Sequence, residues 1–441
     1  MSTPTRPVRP PRTPIPPAAR RTIFASFLGS TFEWYDFGVY GTTSVIVFNQ
    51  VFFPGEDPAL GTLLALVTVA VGYFTRPIGG IIFGHFGDRV GRKKLLVITM
   101  LIMGIPTFLI GLLPSYGSIG MAAPILLIVM RLAQGIGLGG EYAGAALAAI
   151  ESVPRDRRGF IGSIPQIGNP VGGVLGSLLV LASTGIFGDD VYAAWLWRVP
   201  FLLSIVLLVY AMVIRLRLVE TGDFHELVAK RGVERSPLLA VVRHHWAPLL
   251  LGLGARSADA ISGNVAGTVV IAYVTTYLHD SNSLGLVTTL IPSILAIPLM
   301  LAVGAFSDRI GRKRVFVYGL LALTVAVFPM FGLLDTRVFW LMVIGVTIYR
   351  LCNSSQFAVQ SAFLADIFPT EVRYTGVSLV YQTGAIIGGL TPPVCLAILI
   401  ASDGNAWPLM LALAGSTLVS VACAIAIRSR ASTDTAQPVS A

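Results

Sequence analysis

Apolar stretches of 18 residues or more recur along nearly the whole chain, at roughly 22–48, 60–84, 94–113, 120–150, 159–184, 195–216, 246–278, 284–305, 314–334, 338–365, 374–400 and 405–428. Each is long enough to cross about 30 Å of hydrocarbon as a helix rising about 1.5 Å per residue. The pattern predicts an all-α integral membrane protein with twelve transmembrane helices. Polar sequence is confined to short connections, to a stretch at 217–245 and to tails at 1–21 and 429–441. The first tail is rich in Pro and Arg and has no apolar run of its own, so a disordered tail is expected there rather than a leader.

Composition agrees with a lipid solvent. Of 441 residues, 54% are hydrophobic and 12% charged, where a soluble domain has about 25% charged, and the mean hydropathy is +0.78. The formal net charge of +9 raises the possibility of a nucleic-acid partner, but the positions of the basic residues exclude it. All Lys and Arg except Arg76, Arg131, Arg198, Arg256, Arg337 and Arg350 fall in the tails, in the connections after even-numbered spans, or at the span ends beside them. The opposite connections hold Glu56, Asp57, Asp189, Asp190, Asp280, Asp335 and Asp403. By the positive-inside rule both termini are expected in the cytoplasm, with the chain in the cell membrane. Cys352, Cys395 and Cys423 lie inside apolar spans, so no disulfide framework is expected.

The chain repeats itself. Gly84-His85-Phe86-Gly87-Asp88-Arg89-Val90-Gly91-Arg92-Lys93-Lys94 follows the second span, and Gly304-Ala305-Phe306-Ser307-Asp308-Arg309-Ile310-Gly311-Arg312-Lys313-Arg314 follows the eighth, 220 residues later. Arg131 is echoed by Arg350, and Glu151, Pro154 and Arg158 by Asp366, Pro369 and Arg373. Two six-helix bundles are expected, at 22–216 and 246–428, joined by a cytoplasmic linker at 217–245. Such repeats build transporters that hold substrate near the midplane and rock the halves about it. The repeated loops suit a latch at the cytoplasmic face made by Asp88, Arg89, Arg92, Asp308, Arg309 and Arg312, with topology alone as the plainer reading. Asp88 is expected to face the helix that starts near Arg373, and Asp308 the helix near Arg158, where a helix dipole favours an anion. Glu151 with Arg158 and Asp366 with Arg373 are expected to complete the gate.

Charges at bilayer depth cost about 2.5 kcal/mol or more and mark functional positions. Glu33-Trp34-Tyr35-Asp36 puts two carboxylates one turn apart in the first span. Desolvation penalises their ionised form, which lets such a group take a proton from one side and release it to the other. Asp36, then Glu33, are the expected proton-coupling groups, with structural bonds to a neighbouring helix as the alternative; Glu141 is a third candidate. In the fourth span Arg131, Gln134 and Glu141 project within about 80° of one another, among glycines whose spacing permits close helix approach. Arg131 suits a substrate carboxylate, or an internal pair with Glu141 or Asp36. Arg256 and Asp259, at i and i+3 in the seventh span and followed by Asn264, suit the second half of a midplane site. Tyr35, Gln134 and Gln382 complete the expected substrate contacts, Arg350 and Gln360 are expected to line the cavity, and Arg76 is expected to be structural.

These motifs carry a family resemblance. Glu33-Trp34-Tyr35-Asp36-Phe37, Arg76-Pro77-Ile78-Gly79-Gly80, the segment from Gly84 to Lys94, Arg131-x-x-Gln134-Gly135 through Gly139-Gly140-Glu141, Trp197-Arg198-Val199-Pro200-Phe201, and Phe368-Pro369-Thr370-Glu371-Val372-Arg373-Tyr374-Thr375-Gly376 leading to Gln382 resemble the metabolite:proton symporter family of the major facilitator superfamily, over 22–428. The resemblance implies proton-driven uptake of organic acids such as shikimate, 2-oxoglutarate or citrate, or of zwitterions such as proline and betaine. The chain departs from the family pattern at Tyr142-Ala143, and at Asp259, where Glu is commoner.

Other classes fit less well. An ATP-driven pump needs a phosphate loop, and no Gly-Lys dipeptide occurs in the chain. Val71-Gly72-Tyr73 is too short a likeness to argue for a channel filter, and His85, His225, His244, His245 and His279 lie at loops or helix ends, away from any hydrolytic constellation. The expected protein is not an enzyme. It needs no cofactor or metal beyond a proton gradient, acts as a monomer in the bilayer, and carries a small acid or zwitterion by alternating access, with proton-driven export as the alternative.

Overall fold

The structure is a computed structural model that describes residues 17–55, 57–90, 92–139, 147, 149–150, 153–216, 237–369 and 372–427. Twelve helical spans run through the described residues, one for each predicted stretch. In the first half they are α1 (Pro17–Thr43), α2 (Pro58–Phe74, resuming after one residue as Arg76–Val90), α3 (Arg92–Ile110), α4 (Ala122–Gly139), α5 (Arg158–Phe187) and α6 (Arg198–Leu216). In the second half they are α7 (Trp246–Asn264), α8 (Asn282–Ile310), α9 (Arg312–Leu334), α10 (Phe339–Ala365), α11 (Arg373–Ala401) and α12 (Ala406–Ala426). A short helix, Pro237–His244, occupies the described end of the predicted linker, and α1 begins inside the predicted tail.

Eight of these helices are long and apolar enough to cross a bilayer by composition alone. Neither α1 nor α10 is among the eight. They are the helices that carry Glu33 and Asp36, and Arg350, Asn353, Gln356 and Gln360, all buried. Their polar faces point into the bundle, while large apolar side chains such as Met121, Ile186, Val325 and Trp340 are exposed at the periphery, as a lipid-facing surface requires.

The leading helix of each half ends irregularly. A π-helical turn at Ser44–Phe48 prolongs α1, and two more, at Val265–Val269 and Tyr273–Tyr277, prolong α7. Such turns reset which side chains face a neighbour. Within the first half, Gly135 and Gly139 of α4 lie so close to the α2 backbone at Gly72, Arg76 and Gly80 that a Cβ at either would overlap it. That approach is what the glycine spacing in the fourth span provides.

The repeated motif differs from the predicted loop. Asp308 and Arg309 sit in the last turn of α8, which stops only at Gly311, where φ is 100°. Glycine adopts that conformation without steric cost, so one residue reverses the chain and α9 starts at Arg312. The halves meet along two seams, α2 against α11 and α5 against α8 and α10. A cavity with aromatic and polar walls lies between them.

Candidate functional site

The first half buries a closed polar network. Asp36 of α1 is fully enclosed, at 0% exposure. Thr107 of α3 donates to its Oδ1 at 2.8 Å, and Nε2 of Gln134 on α4 donates to Oδ1 at 2.9 Å and Oδ2 at 3.2 Å. Gln134 Nε2 also lies 2.7 Å from Thr107 Oγ1, and its Oε1 accepts from Arg131 Nη1 at 2.9 Å. The same Nη1 stands 3.7 Å from Asp36 Oδ2, and the guanidinium lies over the Tyr40 ring at 3.6 Å. Three side chains from α3 and α4 thus surround one carboxylate, and a buried charge survives only with such partners. Arg131 Nε and Nη2 have no hydrogen-bond partner.

One turn earlier, Glu33 pairs with Arg76 of α2 at 3.3 Å. Arg76 also stands over the rings of Phe37 (4.4 Å) and Tyr73 (4.5 Å). Its role is therefore wider than the structural one expected from the sequence, because it also borders the cavity.

The second half repeats the theme with looser connections. Asp259 of α7 is buried, and accepts from Gln360 Nε2 at 2.9 Å and from Asn353 Nδ2 at 3.4 Å, both on α10. Asn353 also donates to Ser262 at 2.6 Å. Asp259 makes no ion pair among the described residues. Arg256, one turn before it, lies instead over the Tyr381 ring of α11 at 3.7 Å, with Nε and Nη1 buried and without partners. Arg350 reaches across to the first half, where its Nη2 donates to Asn169 of α5 at 3.0 Å.

Between the halves are two adjoining hollows that share Trp34, Tyr73, Asn169, Gly263 and Asn264 in their walls. The first, about 430 Å³ of space partly open to solvent, adds Arg76, Arg256, Asp259, Asn353, Phe357 and Tyr381. The second, about 760 Å³ of space partly open to solvent, has Arg350, Thr42 and Ser293 among its polar lining. An aromatic-walled space with a few convergent charged groups has the makeup of a small-molecule site.

Of the expected substrate contacts, Arg256 and Asp259 reach this space. Tyr35 does not: neighbours on a helix project about 100° apart, so Trp34 faces the cavity while the Tyr35 hydroxyl donates to Pro200 O of α6 at 2.6 Å. Arg131 and Gln134 are held inside the first-half network by the bonds above. Gln382 crosses the α2–α11 seam, and its Nε2 donates to the carbonyls of Leu138 (3.2 Å) and Gly139 (3.0 Å).

At the motif-bearing end, the Asp308 carboxylate accepts from the backbone N–H groups of Gly159 at 2.7 Å and Phe160 at 3.0 Å. It sits on the first turn of the helix that begins at Arg158, where unpaired N–H groups and the dipole favour an anion. Arg312 pairs with Asp366 at 2.9 Å and stands 3.9 Å from Asp308. This corrects the expected Asp366–Arg373 pair: the start of α9 brings Arg312 within reach first. Arg158 Nε donates to Val153 O at 3.5 Å, and Arg309 is exposed. Glu141, Glu151 and the side chains of Asp88, Arg89 and Arg92 lie outside the described residues.

Thr107, Asn169, Asn353 and Tyr381 were not foreseen, although a signal for Asn353 was present. Arg131-x-x-Gln134 recurs as Arg350-x-x-Asn353 at an offset of 219 residues. Thr107, Asn169 and Tyr381 have no such echo, because a lone polar residue in an apolar span does not tell which way it faces.

The "Sugar (and other) transporter" family matches residues 22–238, and the "Major Facilitator Superfamily" family residues 252–440. A shikimate transporter of Escherichia coli (strain K12) is 35% identical over 417 residues, which is 93% of this chain and 94% of that protein. A glycine betaine/proline/ectoine/pipecolic acid transporter of Dickeya dadantii (strain 3937) is 36% identical over 398 residues, 88% of this chain and 78% of that protein. The crystal structure of a D-xylose–proton symporter superposes with a TM-score of 0.70 at 17% identity, covering 92% of this chain and 96% of that one.

Proposed function

This chain belongs to the major facilitator superfamily, among its shikimate and proline/betaine transporters, and from that membership we propose that it is a proton-coupled symporter carrying a small organic acid into the cell. The observation that carries the reading is Arg256: a buried guanidinium at the cavity wall whose Nε and Nη1 have no protein partner. Two adjacent N–H groups match the two oxygens of a carboxylate. Arg76 is already paired with Glu33, and Arg131, paired with Asp36, is not among the residues that line the cavity, which leaves Arg256, with Arg350 nearby, to meet the anion.

In this reading the proton gradient is the energy source and Asp36 is the coupling group. While ionised it holds Arg131 and Gln134; protonated, it releases the Arg131 charge, and the first half repacks. The halves rock about the cavity, the seam at Gln382 and the Asp308 contact opening at the motif-bearing end, which the distribution of basic residues assigns to the cytoplasm. Both termini are then cytoplasmic, the membrane is the cell membrane and the monomer is the working unit.

Zwitterion uptake is a second reading, favoured by Asp259 and the aromatic walls of Trp34, Tyr73, Phe357 and Tyr381 in the same space. A carboxylate beside aromatic faces suits a quaternary or secondary ammonium. Uptake of labelled shikimate and of labelled glycine betaine into proteoliposomes under an inward proton gradient separates the two. Gradient-driven shikimate uptake lost in Arg256→Ala supports the acid; betaine uptake alone transfers the assignment to the zwitterion, and uptake indifferent to the gradient removes the coupling claim.

A further inference from the structure

Asp259 has a set of partners that differs from that of Asp36 in a way that bears on protons. Its two hydrogen-bond donors are neutral amides, Gln360 at 2.9 Å and Asn353 at 3.4 Å. The nearest cations, Arg256 and Arg350, act on it through space without forming an ion pair: Arg256 lies over Tyr381 and Arg350 bonds to Asn169. A buried carboxylate whose direct donors are all neutral amides is less well compensated as an anion than one in an ion pair, whereas the neutral acid needs only one acceptor for its O–H.

Gln360 can supply that acceptor. It is fully buried, its Nε2 faces Asp259, and its Oε1 has no partner. The two ends of a side-chain amide are set by the surrounding network, not by shape. A half-turn puts Oε1 against the acid, where it accepts the Asp259 O–H and exchanges a donor for an acceptor without moving any helix. Gln134 has no such freedom, because Arg131 binds its oxygen while Asp36 and Thr107 hold its nitrogen.

We propose that Asp259 is a second proton-binding site, in the second half of the molecule, with Gln360 as the amide that turns between the ionised and protonated states. A proton from solvent in the cavity bonds to an Asp259 carboxylate oxygen and leaves by the same route; no other bond changes. The charged and titratable groups around it are Arg256 on its own helix, Arg350 on α10, Tyr381 on α11, and Tyr73 and Arg76 across the cavity. When Asp259 is neutral, the charges of Arg256 and Arg350 face the cavity without an acid of their own half. Proton and substrate anion then strengthen each other's binding, as linkage requires. The proposal rests on the reading of the protein as proton-coupled, but its test needs no substrate, so failure of one is distinguishable from failure of the other.

The test treats the full-length protein in lipid nanodiscs, without substrate, with dicyclohexylcarbodiimide between pH 5.5 and pH 8.5, followed by peptide mapping. This apolar reagent modifies protonated carboxyls in apolar surroundings. The expected result is an adduct at Asp259 that falls by about tenfold or more as the pH rises, one pKa unit being a tenfold change in ratio, with the same profile in Asp36→Asn. Where the reagent does not reach the site, the infrared difference spectrum between the two pH values reads the same titration. A protonated-carboxyl band missing in Asp259→Asn and shifted in Gln360→Leu is expected. Difference spectra identical in wild type and Asp259→Asn, or an Asp259 adduct that does not vary with pH, would overturn the proposal.

Discussion

Asp36 and Asp259 are both buried on the leading helix of their half, and each meets an amide that follows an arginine by three residues, Gln134 after Arg131 and Asn353 after Arg350. The arginines diverge. Arg131 turns inward, 3.7 Å from Asp36, whereas Arg350 turns outward to Asn169 of the other half. One copy of the motif therefore closes on itself, and the other opens on the cavity. A duplicated frame has separated two tasks: storing a compensated charge away from the solute, and presenting an uncompensated one to it.

The strongest way to break this comparison is Asp36→Asn, which leaves the shape of the first-half network but removes its charge. Gradient-driven accumulation is expected to disappear while exchange of substrate between the two faces persists, measured as counterflow in proteoliposomes. Persistent accumulation would move the coupling role to the second half. Arg256→Ala comes next. Loss of a charged hydrogen-bond pair, about 1.5–3 kcal/mol, raises the half-saturating substrate concentration about 10- to 100-fold, and Arg256→Lys recovers little because the planar fork is gone.

The two glutamines sharpen the contrast. Gln134→Leu strips Asp36 and Arg131 of partners at once and is expected to destabilise the protein by about 3 kcal/mol. Gln360→Leu removes one amide beside Asp259, an expected cost of about 1 kcal/mol. Thermal unfolding in detergent compares them, and equal shifts would mean that the two networks are equally closed. The smallest effect belongs to Asp308→Asn at the α5 N-terminus: about 0.5–1 kcal/mol of charge–dipole attraction, read as a few-fold faster maleimide reaction of Ser361→Cys at the α5–α10 seam in a background without Cys352, Cys395 and Cys423.

The spans were legible because lipid imposes a length and a polarity on each helix, and both are one-dimensional properties of the chain. The same holds for the duplication and for Asp308 at the helix beginning near Arg158, since that expectation needed only the repeat and the dipole of a helix start. The family followed from motifs spread over the whole chain, and the relatives at 35% and 36% identity agree with it.

Which way a side chain faces was not legible at the same level. Tyr35 and Trp34 are adjacent, yet one bonds to α6 and the other borders the cavity. Arg131 and Arg350 occupy repeated positions, yet one closes on Asp36 and the other crosses to Asn169. Sequence alone determined the helical spans, their number, the repeated motifs and the burial of Glu33, Asp36, Arg76, Arg131, Arg256, Asp259 and Arg350, because these depend on local composition and spacing. Only the tertiary structure decided which charge compensates which, which guanidinium is left for a solute and which amide can turn, because an ion pair or an orphaned donor is fixed by distances of a few ångströms between helices far apart in the chain.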